Sequence, residues 1–167
     1  ITVEDATMLS RLYKRGEKVV LTLKLSCANL APITSYNVMG QITGTTYPNE
    51  VIVIGGHIDS WDLAYGAMDD GAGVWVCYEA VRVLLALGMR PKRTIRVVAF
   101  VGEELGVFGG QAYAKQHAAE VNNTILAFES DLGTFQAQGL QFTGGERGFK
   151  LVQDIATNLL DVFNTTI

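Results

Sequence analysis

Several things are scarce in this chain, and each scarcity narrows what it can be. No apolar run approaches the roughly 20 residues that a helix needs to span a bilayer, so no membrane-spanning helix is expected within these residues. Positive charge is also in short supply. The net charge of -4 removes the electrostatic case for nucleic acid or an anionic membrane as partner. The one basic cluster, Arg90, Lys92 and Arg93 around Pro91, reads as a solvated turn between two elements. There are two cysteines, Cys27 and Cys77, both inside apolar stretches, where two small buried thiols are as good a reading as a disulfide. Repeats, low-complexity tracts and interdomain linkers are absent. An initiator methionine and a signal-peptide pattern are missing too, so the chain is expected to begin as an internal or processed segment does.

What is present suits a folded domain. The 167 residues, 49% hydrophobic and 18% charged, are enough for one domain with a real core. Thr2 is placed to cap a helix over about residues 3–14, with Glu4 and Asp5 in its positive first turn. From Lys18 to Ser26, Val19, Leu21, Leu23 and Leu25 alternate with polar residues, the period of a half-buried strand. Ser35 to Gly44 reads as a second strand and Tyr47-Pro48-Asn49 as the turn after it. Val51–Ile54, Ile95–Val101 and Ile125–Phe128 are short continuous apolar runs, as strands buried on both faces require.

Helices are expected between and after these runs. Val74, Cys77, Val81, Leu84 and Leu85 keep helical spacing, and Gly88 and Pro91 end that helix. Two more helices fall at about 107–118 and 146–161. Strands alternating with helices predict an α/β domain of three layers, with a mixed, largely parallel central sheet flanked by the earlier antiparallel strands.

The informative polar residues fall at the ends of the apolar runs. Val51–Ile54 leads into Gly55-Gly56-His57-Ile58-Asp59, Ile95–Val101 into Gly102-Glu103-Glu104, and Ile125–Phe128 into Glu129-Ser130-Asp131. In open α/β sheets the carboxyl ends of the strands form the ligand crevice. Asp69 adds a carboxylate where the loop after the first of these strands enters a helix. One imidazole among several carboxylates suits zinc, and the carboxylate surplus suits two ions sharing one bridging group. His57 and Asp59, two apart on a strand, point the same way, so Asp59 is placed to accept the imidazole's other N–H. Taken singly, each residue has a bland reading: Asp69-Asp70-Gly71 as a turn with Asp70 capping the helix, Glu103-Glu104 as a solvated strand end. Their coincidence at one sheet edge favours a metal site.

The motifs Gly-Gly-His57-Ile-Asp59-Ser-Trp61, Gly66-Ala-Met-Asp69-Asp70-Gly-Ala-Gly73, Glu103-Glu104 and Glu129-Ser-Asp131 resemble, in order and spacing, those of the co-catalytic di-zinc aminopeptidases and carboxypeptidases. The likeness runs over nearly the whole chain, including Arg90-Pro-Lys-Arg-Thr94 and Gly139-Leu-Gln-Phe-Thr-Gly144. It implies a zinc exopeptidase fold and two Zn2+ ions. Asp69 would bridge the ions, His57 and Asp131 would complete one, and Glu104 would bind the other. Glu103 would be the general base, and a cis peptide would join Asp69 to Asp70.

The resemblance further implies small peptides or dipeptides as substrates, a secreted or lysosomal setting, and a homodimer. The sequons at Asn122 and Asn164 are weak support for a secretory route. The family's second zinc also takes a histidine well downstream of the Asp131 position. The other histidine here, His117, lies in a polar helical stretch and reads as a surface residue. The expectation is therefore a partial catalytic domain over 1–167, weakly active by itself, with the N-terminal part and the final ligand segment elsewhere. Two other readings are a single-zinc acyl-transferring cyclase and a non-catalytic, receptor-like ectodomain. The adjacent Glu103-Glu104 pair and the intact ligands weigh against them.

Overall fold

A computed structural model describes residues 1–131 and 133–160. The sequon at Asn164, and residue 161 at the end of the last expected helix, lie outside them. The chain divides into two compact units, Ile1–Thr34 and Ser35–Ile167.

The first unit holds one helix, α1 (Val3–Lys14). The Thr2 hydroxyl accepts from the Asp5 N–H at 3.1 Å, satisfying one of the donors that a helix start leaves unpaired. Glu4 and Asp5 in the first turn and Arg11 and Lys14 in the last complement the helix dipole. Residues 17–34 form neither helix nor strand, so the strand expected over Lys18–Ser26 is absent. Alternation alone does not make a strand; it needs a partner ladder and a core, and Leu21, Leu23 and Leu25 are all exposed.

The second unit is built on four strands: β1 (Val38–Ile42), β2 (Tyr47–His57), β3 (Arg93–Phe100) and β4 (Thr124–Glu129). Their order is β1-β3-β2-β4, with β2 parallel to both β3 and β4 and β1 antiparallel to β3. The sheet is thus mixed and largely parallel, with one antiparallel strand shorter than the Ser35–Gly44 segment that suggested it. Tyr47-Pro48-Asn49 opens β2 and is no separate turn. The pairing with β3 is irregular between Tyr47 and Val51, a place where a proline's missing donor is tolerated. β4 is the last strand in the described order, which explains why Ile125, Leu126 and Phe128 are exposed and not buried on both faces.

The helices are α2 (Ala72–Ala86), α3 (Phe108–Gln116) and α4 (Glu146–Leu159). α2 ends in a paired reversal: Gly88, at φ 69°, donates to Leu85 O and Met89 to Leu84 O. The left-handed conformation that this closure demands is the one glycine adopts without steric cost. Val51 and Val53 pack with Val98, Phe100 and Tyr113 of α3. Gly56, on the opposite face of β2, comes against the backbone of Val74 in α2. The two helices therefore cover opposite faces, and the layering is α/β/α.

Cys77 is buried under β2, where its thiol meets the Gly55 carbonyl at 3.4 Å. Burial pushes this thiol up to about 11, so it is an inert packing group. Of the two open readings, a disulfide and a pair of buried thiols, neither holds in full: both cysteines are free, but Cys27 is exposed.

Thr94 fastens the start of the two central strands. Its buried hydroxyl donates to Pro48 O at 2.7 Å and accepts from Gly44 N–H at 3.0 Å. Thr94→Val keeps the shape and orphans both partners, so chemical denaturation of the full-length protein should show a loss of about 1–3 kcal/mol.

Candidate metal centre

Three parallel strands end at one edge of the sheet, and their register brings their last residues level. His57 at the end of β2 pairs with Phe100 at the end of β3, and Gly55 pairs with Glu129 at the end of β4. His57, fully buried, is the hub. Its Nε2 lies 3.0 Å from Asp69 Oδ1, 3.1 Å from Asp131 Oδ1 and 3.8 Å from Glu103 Oε2. Four-coordinate zinc with bonds of about 2.0–2.1 Å has ligand-to-ligand edges of roughly 3.3–3.4 Å. The His57, Asp69 and Asp131 donor atoms, all within 4.8 Å of one another, fit three corners of such a polyhedron.

The ring orientation follows from the backbone. His57 Nδ1 is 2.8 Å from the carbonyl oxygen of Asp59, a pure acceptor, so Nδ1 carries a proton and Nε2 faces the acidic groups. The contact comes from Asp59 as the spacing suggested, but from its main chain. Its carboxylate is farther off, at 3.6 Å, and accepts instead from the N–H groups of Glu103 at 3.0 Å and Glu104 at 3.2 Å. Burial alone would raise the Asp59 carboxyl; those two N–H donors overcome it and hold the group below its ordinary value.

Asp70, 1% exposed, has a role beyond capping. One carboxylate oxygen accepts from Gly73 N–H at 3.1 Å, at the start of α2, as expected of a cap. The other accepts from the main-chain N–H of His57 at 3.0 Å, tying the strand end to the ligand loop. A Cβ at Gly56 would collide with this carboxylate, so glycine is needed there. The Asp69–Asp70 peptide is cis.

Glu104 stands outside the three-atom group but shares a cleft with Asp69, walled by Trp61, Tyr65 and Met68. Asn122 is exposed in the short 3-10 turn Ala118–Asn123. His117 is not part of the three-atom group, and its side chain is only 20% exposed. It stacks on Tyr113 with ring centroids 4.3 Å apart and meets Arg96 at 3.3 Å and Glu120 at 3.2 Å. It is part of a packed polar network and not a free surface residue.

The electrostatics favour a cation. Burial lowers the pKa of His57, but hydrogen bonds to the Asp59 carbonyl and the Asp69 carboxylate, with the charges of Asp70 and Asp131, outweigh it and raise the pKa. Burial also raises the carboxyls of Glu104, Asp70 and Glu129. Neighbouring carboxylates add to this, chiefly Asp69 for Glu104 and Asp131 for the other two. Among the described residues, no Lys or Arg pairs with Asp69, Glu103, Glu104 or Asp131; the arginine pairs are with Glu50, Glu79 and Glu120. A carboxylate-rich cleft with one correctly oriented imidazole and no basic partner matches the donor chemistry of a divalent metal.

Comparison with known proteins agrees with this geometry. Carboxypeptidase Q of Xenopus laevis is 44% identical over 166 residues, covering 99% of this chain and 35% of its own length. Carboxypeptidase Q of Homo sapiens is 43% identical over the same span and coverage. The chain thus spans about a third of the length of the curated relatives it matches. The crystal structure of a peptidase M28 precursor from Shewanella amazonensis SB2B aligns over 97% of this chain and 37% of its own, with TM-score 0.83 and 36% identity. An aminopeptidase from Aneurinibacillus sp. strain AM-1 aligns over 95% of this chain and 40% of its own, with TM-score 0.67 and 28% identity. The model of peptidase family M28 matches residues 37–167. With the strand-end cluster of His57, Asp69 and Asp131 inside the matched region, the chain belongs to peptidase family M28.

Proposed function

We propose that this chain forms the core of a di-zinc exopeptidase that cleaves a peptide bond next to a chain end of a small peptide, in a secreted or lysosomal setting. The observation that carries this reading is the convergence of His57, Asp69 and Asp131 on one point beside Glu103. His57, Asp69 and Asp131 would hold one ion, and Asp69 with Glu104 would contribute to the second. Two bound ions would supply Lewis acidity to the scissile carbonyl and acidity to a water.

The remaining chemistry belongs to the chain. Glu103 accepts the proton of the attacking water at Oε2 as the oxygen bonds to the carbonyl carbon. It then delivers that proton to the amine nitrogen as the C–N bond breaks. Asp59 holds Glu103 and Glu104 by their main-chain N–H groups, so these adjacent side chains leave the loop in different directions from a fixed base. Asp70 and the Asp59 carbonyl hold His57 at both its main chain and its ring. Trp61, Tyr65 and Met68 give the cleft beside Asp69 and Glu104 an apolar wall.

Full-length protein purified without chelator should carry close to two zinc ions per chain by elemental analysis, and Asp69→Ala should lose both. A count near one would favour the single-zinc cyclase, and a count near zero in active protein would end the metal reading.

The two neighbouring glutamates should separate in the same preparation. Glu103→Gln should keep both ions and lose about 10²–10⁴-fold in dipeptide turnover, since the amide keeps the shape but takes no proton. Glu104→Gln should lose the second ion. The opposite pattern of metal loss would reverse the roles assigned to the pair.

A further inference from the structure

The loop that carries Glu103 and Glu104 is tied at both ends by one side chain from far upstream. Asn37 stands one residue before β1, whose Val38 pairs with Ala99, so it comes level with the end of β3. Its Oδ1 accepts from Val101 N–H at 3.0 Å, and its Nδ2 donates to Gly109 O at 2.8 Å. A main-chain N–H needs an oxygen and a carbonyl needs an amide N–H, so the two partners fix which way the amide faces.

The loop needs such a tie. It closes on itself through Gly109 N–H to Val101 O at 2.8 Å, Phe108 N–H to Gly102 O at 2.9 Å and Val107 N–H to Glu103 O at 2.9 Å. To do so it places Val107 at φ 58°, a left-handed conformation that a β-branched side chain disfavours and that persists only with support from its surroundings. The other end of the tie is also shaped for it. A Cβ on Gly109 would collide with Asn37 Oδ1 and with the Val101 main chain, so glycine is what lets the amide reach both strands of the loop.

We propose that Asn37 is a positioning residue for the acidic loop: by joining Val101 to Gly109 it sets where Glu103 and Glu104 stand relative to His57. This rests on the peptidase reading above, because it assigns Asn37 its effect through those two carboxylates and not through any contact with substrate. Asp59 grips the middle of the loop, at Glu103 and Glu104, and Asn37 grips its two ends.

The test uses full-length protein carrying Asn37→Ala, Asn37→Asp or Gly109→Ala, with wild type beside them. Asn37→Asp preserves size and the bond to Val101 while setting an oxygen against the Gly109 carbonyl, so it cuts one end of the tie without removing the side chain. Amide hydrogen exchange should quicken at Val107, Phe108 and Gly109 while the Ile52–Ile54 and Val97–Val98 ladder stays as slow as in wild type. Misplacing a catalytic group by about 1 Å costs up to about 10²-fold, so kcat for a dipeptide should fall about 10–100-fold. KM should stay within about twofold, because substrate binding is not what the tie controls. Wild-type kcat and loop exchange in Asn37→Asp would overturn the proposal, as would exchange that quickens equally throughout the sheet. If the wild-type protein cleaved no peptide, the proposed function would fall first, and unchanged loop exchange in the variants would then separately refute the tie.

Discussion

The hydrogen bond from His57 Nδ1 to the Asp59 carbonyl decides which edge of the imidazole faces the cleft, and the rest of the site is arranged around that choice. With Nδ1 committed, Nε2 is the only ring atom left to meet Asp69 and Asp131. The same short segment then reaches outward. The Asp59 carboxylate takes the N–H groups of Glu103 and Glu104, and the His57 N–H is taken by Asp70, next to Asp69. Residues 57–59 at the end of the central strand therefore set the positions of two neighbouring loops as well as their own. The sheet order makes this possible: β2 lies between β3 and β4, so each loop needs to cross only one strand spacing.

Charge balance gives that geometry its direction. Five carboxylates, Asp59, Asp69, Asp70, Glu103 and Asp131, surround one imidazole. N–H donors hold Asp59 low against its burial, whereas burial and neighbouring charge push Asp70, Glu104 and Glu129 up. Repulsion of this kind is relieved by protons or by cations. The ordered tautomer of His57 and the lack of a paired Lys or Arg among the described residues favour cations.

Those features that depend on local spacing were legible in the sequence. Continuous apolar runs announced β2, β3 and β4, helical spacing announced α2, and the polar residues just past the strands announced the cluster. Features that depend on a distant partner were not. The Lys18–Ser26 alternation has no strand to pair with among the described residues, and Tyr47-Pro48-Asn49 looked like a turn because the irregular pairing that accommodates Pro48 belongs to β3. Asp59 was recognised as a neighbour of His57, but its grip on residues 103 and 104 spans more than 40 positions. Asn37 escaped notice for the same reason: no motif surrounds it, and its partners lie 64 and 72 residues away. The polar setting of His117 suggested exposure, whereas Arg96 on β3 and Tyr113 on α3 draw it into a network.

The most direct test is crystallographic: anomalous diffraction at the zinc edge from crystals of the full-length protein, with His57, Asp69, Glu104 and Asp131 resolved. Two peaks about 3.5–4 Å apart are expected, one bonded by His57, Asp69 and Asp131 and the other by Asp69 and Glu104. A lone peak, or zinc bound at His117 or Cys27 while this cleft held only water, would contradict the assignment.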